Sequence, residues 1–179
     1  MSDTEHELRL VDIDPTQLEE KLIKAGATFV ADHKLRRHVF DTIPVNNNRW
    51  VRLRTDGSQT TLAVKEVVDE TVSGTKEWET VVDDFDTTKL ILEKMGLISR
   101  GYQENSRKEF RLGEASITID QWPKLPVILE VEADSAEGVV TAINKLDLNP
   151  DDFTGKNIDQ LYKDRGIDLA NESELSFKL

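Results

Sequence analysis

Apolar and polar residues alternate along most of this chain with a period of two. Leu8 and Leu10 alternate with Glu5, Glu7 and Arg9, and Val51 and Leu53 with Arg52 and Arg54. Leu62 and Val64 oppose Lys65, Trp78 opposes Glu77 and Glu79, and Phe110 opposes Arg107, Glu109 and Arg111. Ile117 and Ile119 oppose Asp120, and Leu129 and Val131 oppose Glu130 and Glu132. Side chains at i and i+2 of a strand share a face, so each segment reads as a strand with one aliphatic and one charged face. Strands are predicted over residues 5–11, 28–41, 50–54, 60–67, 77–82, 98–111, 115–120 and 127–133. Asp56-Gly57-Ser58 is a hairpin turn, Ser73-Gly74 another turn, and residues 43–48 a loop around Pro44.

Where the period lengthens, helices are predicted. Asp14-Pro15-Thr16 supplies an acidic N-cap and a proline at the first helical position. Leu18, Leu22 and Ile23 form the apolar stripe, and Gly26 is the stop. Residues 87–95 carry Leu90, Ile91 and Leu92 before Gly96. Residues 135–146 carry Val139, Val140, Ile143 and Leu146 at helical spacing. A short helix is expected over 157–163, and the chain from 171 onward shows little pattern. The sum is α+β: about eight strands, mostly antiparallel neighbours, with three or four helices, a meander that can close into a barrel. Closure of such a meander removes exposed strand edges.

Closure decides where the charges go. Helices with apolar stripes need the aliphatic face of the sheet, so a closed sheet turns its charged face inward. That face carries both signs, so its groups can pair or await a metal and an anion. Hydrophobic content of 37% is lean, as a partly polar interior requires. The 179 residues suit one domain, over 1–170, with a tail at 171–179.

A net charge of −12 disfavours nucleic acid and anionic membrane as partners. No apolar run is long enough for a membrane span. The N-terminal residues have neither basic flank nor apolar stretch, so no signal peptide is expected. Cysteine is absent, which excludes disulfides, thiolate metal sites and a cysteine nucleophile, and fits a cytoplasmic protein. The three histidines are too few and too scattered for a histidine zinc site.

The remaining chemistry is that of a hard cation and an anion. Glu5, Glu7, Asp120, Glu130 and Glu132 are oxygen donors of the kind Mg²⁺ or Mn²⁺ prefers. Arg52, Arg54 and Arg107 offer planar donor pairs to phosphate oxygens, and Lys65 a point charge. Together they describe a site for a metal-chelated triphosphate, attacked by a water that the metal activates and an acid orients. No GxxxxGK[ST] or GxGxxG loop occurs, so any nucleotide must be gripped by side chains. Trp50, Trp78 and Trp122 are read as packing residues, Asp83-Asp84 and Asp151-Asp152 as helix-start or turn acids, and His6 as pointing away from the Glu5/Glu7 face.

In its ordered motifs the chain resembles the CYTH, or triphosphate tunnel metalloenzyme, superfamily over roughly residues 4–162. That superfamily includes class IV adenylyl cyclases, thiamine triphosphatases and inorganic triphosphatases. Glu5-His6-Glu7-Leu8-Arg9 is similar to its opening Glu-x-Glu-x-Lys, with Arg9 in place of the lysine. Arg52-Leu53-Arg54, Lys65, Glu77-Trp78-Glu79, Arg107, Asp120 and Glu130-Val131-Glu132 follow in the family's order. Lys156 falls where some members place a further phosphate-binding lysine.

The resemblance implies an eight-stranded antiparallel β-barrel, a triphosphate tunnel, with helices packed outside, and it implies roles for these residues. Glu5, Glu7 and Lys65 would be catalytic. Arg9, Arg52, Arg54, Lys65, Arg107 and Lys156 would bind the phosphates. Glu5, Glu7, Asp120, Glu130 and Glu132 would hold Mg²⁺ or Mn²⁺, with Glu77 and Glu79 also in the tunnel. Val39 stands near a position where some hydrolytic members carry a tyrosine, which leaves the general base open. Residues 34–38 have ambiguous parity. Three functions follow: a metal-dependent triphosphatase acting on tripolyphosphate or a small organic triphosphate, an adenylyl cyclase, or a non-catalytic polyphosphate or nucleotide binding module. A homodimer is the one protein assembly left open.

Overall fold

A computed structural model describes residues 3–177. Eight antiparallel strands follow the predicted alternation: β1 (Asp3–Val11), β2 (Thr28–Asn46), β3 (Arg49–Thr55), β4 (Thr60–Val67), β5 (Thr75–Val82), β6 (Ser99–Leu112), β7 (Ala115–Gln121) and β8 (Ile128–Ala133). Their lateral order is β2-β3-β4-β5-β1-β8-β7-β6, and pairing of β6 with β2 closes the barrel.

Residues 43–46, expected in a loop, instead extend β2, and the turn to β3 is left to Asn47 and Asn48. The ladder shifts register between Asp41 and Asn46, which accommodates Pro44, a residue with no backbone donor. The segment after 171 also has structure. Glu174 and Leu175 form β9, parallel to β6 at Tyr102 and Gln103, and Leu175 is buried.

Helices cover the aliphatic outer face. In α1 (Pro15–Ala25), Asp14 accepts hydrogen bonds from the Thr16 and Gln17 amides, and Gly26, at φ 81°, ends the helix. In α3 (Ala136–Lys145), Ser135 caps the N-terminus. These two helices bury Leu18, Leu22, Val139 and Ile143 against Ile117, Ile119, Leu129 and Val131. Ile23, assigned to the stripe, is instead 74% exposed. On the other side α2 (Phe85–Lys94) packs Phe85 and Leu92 onto Phe40, Val51 and Leu53. Its Leu90 and Ile91 are exposed, so three consecutive apolar residues do not make a buried face. Trp78, expected to pack, is 41% exposed on the outer face of β5. Among the described residues no helix is long and apolar enough to cross a membrane.

One seam of the barrel is incomplete. β1 pairs with β5 only from Asp3 to Glu5. Beyond that, the Glu7 amide donates to Val72 O at 2.8 Å, and Arg9 exchanges backbone bonds with Thr154 at 2.9 and 2.8 Å. The loop over 68–74 and a strap over 149–157 therefore satisfy the free edge of β1. Gly155 is where they meet: a Cβ there would lie 2.1 Å from Glu70 O. The strap leads into α4 (Ile158–Lys163), which opens with an Asn157/Gln160 capping box.

Candidate active site

Strand parity turns the charged residues inward. They line a cavity of about 310 Å³ that contains Glu5, Glu7, Arg9, Arg52, Arg54, Lys65, Glu77, Glu79, Arg107, Glu130 and Glu132. Seven lining residues are Lys or Arg and seven are Asp or Glu. A second cavity of about 220 Å³, bordered by His33, Asp56, Gln59 and Glu109, shares Arg54 and Arg107 with the first. Asn47, Trp50, Asn157, Ile158 and Asp159 border the first cavity, where the strap and α4 meet the barrel.

Cross-strand registers set the ion pairs. Arg9 faces Glu130 on β8; its Nε and Nη2 reach Glu130 Oε2 at 2.7 Å, and Nη2 also reaches Glu7 Oε2 at 2.7 Å. Its Nη1 donates to the Lys156 carbonyl at 3.1 Å, fixing the strap. Lys65 faces Glu77 and lies 2.8 Å from Glu5 and 3.4 Å from Glu77. Arg52 Nη2 bonds Glu77 at 2.7 Å and Glu79 at 2.8 Å. Arg107 grips Asp120 with two bonds, 2.8 and 2.6 Å, and reaches Glu130 at 3.1 Å.

The acids are not equivalent. Burial, then hydrogen bonding with Glu77 and the charge of Glu7, push the Glu5 carboxyl up to about 8 despite Lys65. Burial, then Glu130 and Glu7, push Glu132 up as well. Burial alone would raise Glu77, but the Glu5 hydrogen bond, Arg52 and Lys65 outweigh it and hold Glu77 at about 2. Glu130 is likewise held low by Arg9 and Arg107 against its burial. Burial does, however, outweigh the pull of Lys65 at Glu5, and of Lys65 and Arg107 at Glu132. Among the cations, Arg52 and burial bring Arg54 down to about 10.

These observations test the expected Mg²⁺ or Mn²⁺ set. Among the described residues no three acidic or histidine side chains are gathered as a ready-made metal cage. In donor type and charge, Glu5, Glu7 and Glu132 fit a hard cation: they are oxygen ligands, and at Glu5 and Glu132 burial outweighs the positive charge nearby. Asp120 and Glu130 fit less well. Asp120 is 1% exposed, outside the cavity lining, and held by Arg107, Asn105 and Thr118. Glu130 is held by both Arg9 and Arg107. Both carboxylates act as supports for the arginines.

The structure does not bring Lys156 into the cavity. Its Nζ bonds Asp164 at 2.9 Å on the surface, and only its backbone carbonyl serves the site, through Arg9. Conversely, sequence parity missed Arg37, Gln103 and Arg100, all of which line the cavity. Arg37 stands on β2 between Leu35 and Val39, so the apolar residues that normally mark the outer face are inside here. Pairing of Arg37 with Arg54 is the signal that would have placed it. Trp122 is buried as expected but also lines the cavity, and Trp50 stands at its border.

No protein-family profile matches the chain, and a comparison with curated proteins finds no match. Solved structures do match it. A protein from Pyrococcus horikoshii superposes with a TM-score of 0.77 at 18% identity, covering 88% of this chain and 98% of that one. A candidate adenylate cyclase from Vibrio parahaemolyticus gives 0.76 at 15% identity, covering 91% and 99%. A candidate adenylyl cyclase from Hippeastrum, described as having a dominant triphosphatase activity, gives 0.63 at 14% identity, covering 93% and 97%. The likeness is one of fold: this chain forms a closed antiparallel β-barrel of the kind those structures share, and charged side chains line its interior.

Proposed function

We propose that the tunnel binds a triphosphate and hydrolyses it with the aid of a divalent cation. One observation carries the reading: buried acids with too little positive charge nearby to offset their burial, and an arginine, Arg54, crowded by other arginines, share one lumen. A polyphosphate chelated to a cation supplies both deficits. Arg52, Arg54, Arg107 and Lys65 would hold the phosphate chain by charge-assisted bonds. Glu5, Glu7 and Glu132 would hold Mg²⁺ or Mn²⁺, which when bound supplies charge neutralisation on the phosphoryl oxygens. Lys65, 2.8 Å from Glu5, stabilises the ionised form in which Glu5 would hold the cation and orient an attacking water. The low-identity match to a protein described by its triphosphatase activity supports hydrolysis as the first reading.

Cyclisation of ATP is the second reading, favoured by the apolar residues Val39, Trp50, Ile158 and Leu169 in the same lining. A substrate panel of tripolyphosphate, thiamine triphosphate and ATP with Mg²⁺ or Mn²⁺ separates them. Phosphate release without cyclic AMP is expected. Cyclic AMP would favour the second reading, and tight binding without turnover would overturn both.

A further inference from the structure

Arg37 is a buried cation without an anion. Its side chain enters the lumen from β2, is 7% exposed and lies with Cζ 4.4 Å from the Trp122 ring centroid. Its Nη2 donates to Asn105 Oδ1, a neutral acceptor, and its Nε is buried without a hydrogen-bond partner. Asn105 is fixed by donating to Asp120 at 3.1 Å, and Asp120 in turn belongs to Arg107. Among the described residues no carboxylate forms an ion pair with Arg37. Its cross-strand neighbour is another arginine, Arg54, whose own nearest carboxylate, Glu79, is 3.8 Å away.

A guanidinium taken out of water and set opposite a second one is costly unless an anion arrives. Packing alone would be served by an apolar side chain on Trp122. Asn105 does not neutralise Arg37 but aims it, which is the arrangement of a preorganised receptor. Burial first, then Arg54, Arg52 and Arg107, weaken its hold on its proton, Asp120 acts against them without offsetting them, and a phosphate beside it would act in the same sense as Asp120.

We propose that Arg37 and Arg54 form a subsite for one phosphoryl group that works without a metal, with Asn105 as its positioning residue. The proposal rests on the triphosphate reading and specifies it: one end of the phosphate chain is gripped by arginines alone, apart from the Glu5/Glu7/Glu132 group.

The test is calorimetric titration of tripolyphosphate into the full chain in EDTA, and again with Mg²⁺, alongside thermal denaturation of the unliganded protein. Wild type is expected to bind in EDTA. R37M, which keeps an apolar stem on Trp122, is expected to weaken that binding tenfold or more while its unliganded Tm stays level or rises. R37K is expected to recover part of the loss. Should R37M fail to fold, R37Q, which removes the charge and keeps a polar group for Asn105, provides the same readout. Affinity of R37M within twofold of wild type would overturn the subsite, as would a lowered Tm with unchanged affinity, the mark of a purely structural arginine. Wild-type binding that requires Mg²⁺ would also overturn it while leaving the triphosphate reading in place. Absence of binding under either condition would remove both.

Discussion

Arg9 stands directly across the β1–β8 ladder from Glu130, with its Nε 2.7 Å from Glu130 Oε2, and the same guanidinium reaches Glu7 and the carbonyl of Lys156. One side chain thus ties two lumen acids to the strap that completes the open seam. R9M strands the buried Glu7, leaves Glu130 to Arg107 alone and should cost about 3–5 kcal/mol, read from urea denaturation. R9K should cost less, because it keeps the charge, but it cannot make all three connections at once. Its strap amides should therefore exchange hydrogen faster than those of wild type. Equal stability of R9M and wild type would contradict the clamp.

Glu132 tests the metal assignment. Its carboxyl resists ionisation, so Glu132→Gln removes little native stability, and the Tm should stay level or rise. Metal-stimulated phosphate release should fall by a factor on the order of 100. Unchanged turnover would take Glu132 out of the metal site.

The pH dependence of stability has a signature from two neighbours. Glu5 is raised to about 8 in the folded state, so its contribution is complete below about 4.5 and is lost as pH rises through 8. Glu77 is held at about 2, so its contribution is present above about 4.5 and is lost as pH falls toward 2. Stability should decline on both sides of a weakly acidic maximum. E5Q should make the alkaline limb shallower, with Glu132 keeping part of it, while the acid limb persists because Arg52 and Lys65 still hold Glu77 low, as measured by denaturation across pH.

Gly155 holds the strap close to the 68–74 loop. Gly155→Ala puts a Cβ against the Glu70 carbonyl and should cost about 1–3 kcal/mol. Proteolysis around residues 149–160 should accelerate before global unfolding does. A Gly155→Ala variant as protease-resistant as wild type would show that the strap is not seated by this contact.

The barrel was legible because alternation is strict wherever a helix covers the outer face: Ile117/Ile119, Leu129/Val131 and Leu8/Leu10 all point as their parity predicts. It failed where cover is missing or shared. Trp78 lies on a stretch of β5 with an open outer face, and Leu90 and Ile91 point off their helix into solvent. On β2, Leu35 and Val39 face the lumen while Arg36 stacks outside on Phe85, so apolarity no longer marks the outer side and Arg37 was hidden. Of the site, the Glu-x-Glu and Arg-x-Arg pairs were readable from strand period alone. The division of labour among the acids was not, because it depends on which cation each one faces across the ladder: Glu130 and Asp120 support arginines, and Glu5 and Glu132 are buried with too little positive charge nearby to hold them ionised.

The even count of cationic and anionic side chains around the lumen has a bearing on how anything reaches it. If the interior cancels, the chain's −12 resides almost wholly on its exterior. An approaching polyanion therefore meets a repulsive shell first and finds attraction only within the mouth. Simple electrolyte, which shortens the reach of that shell to about 10 Å at 0.1 M, would hasten capture instead of slowing it, opposite to the usual behaviour of a basic phosphate-binding surface.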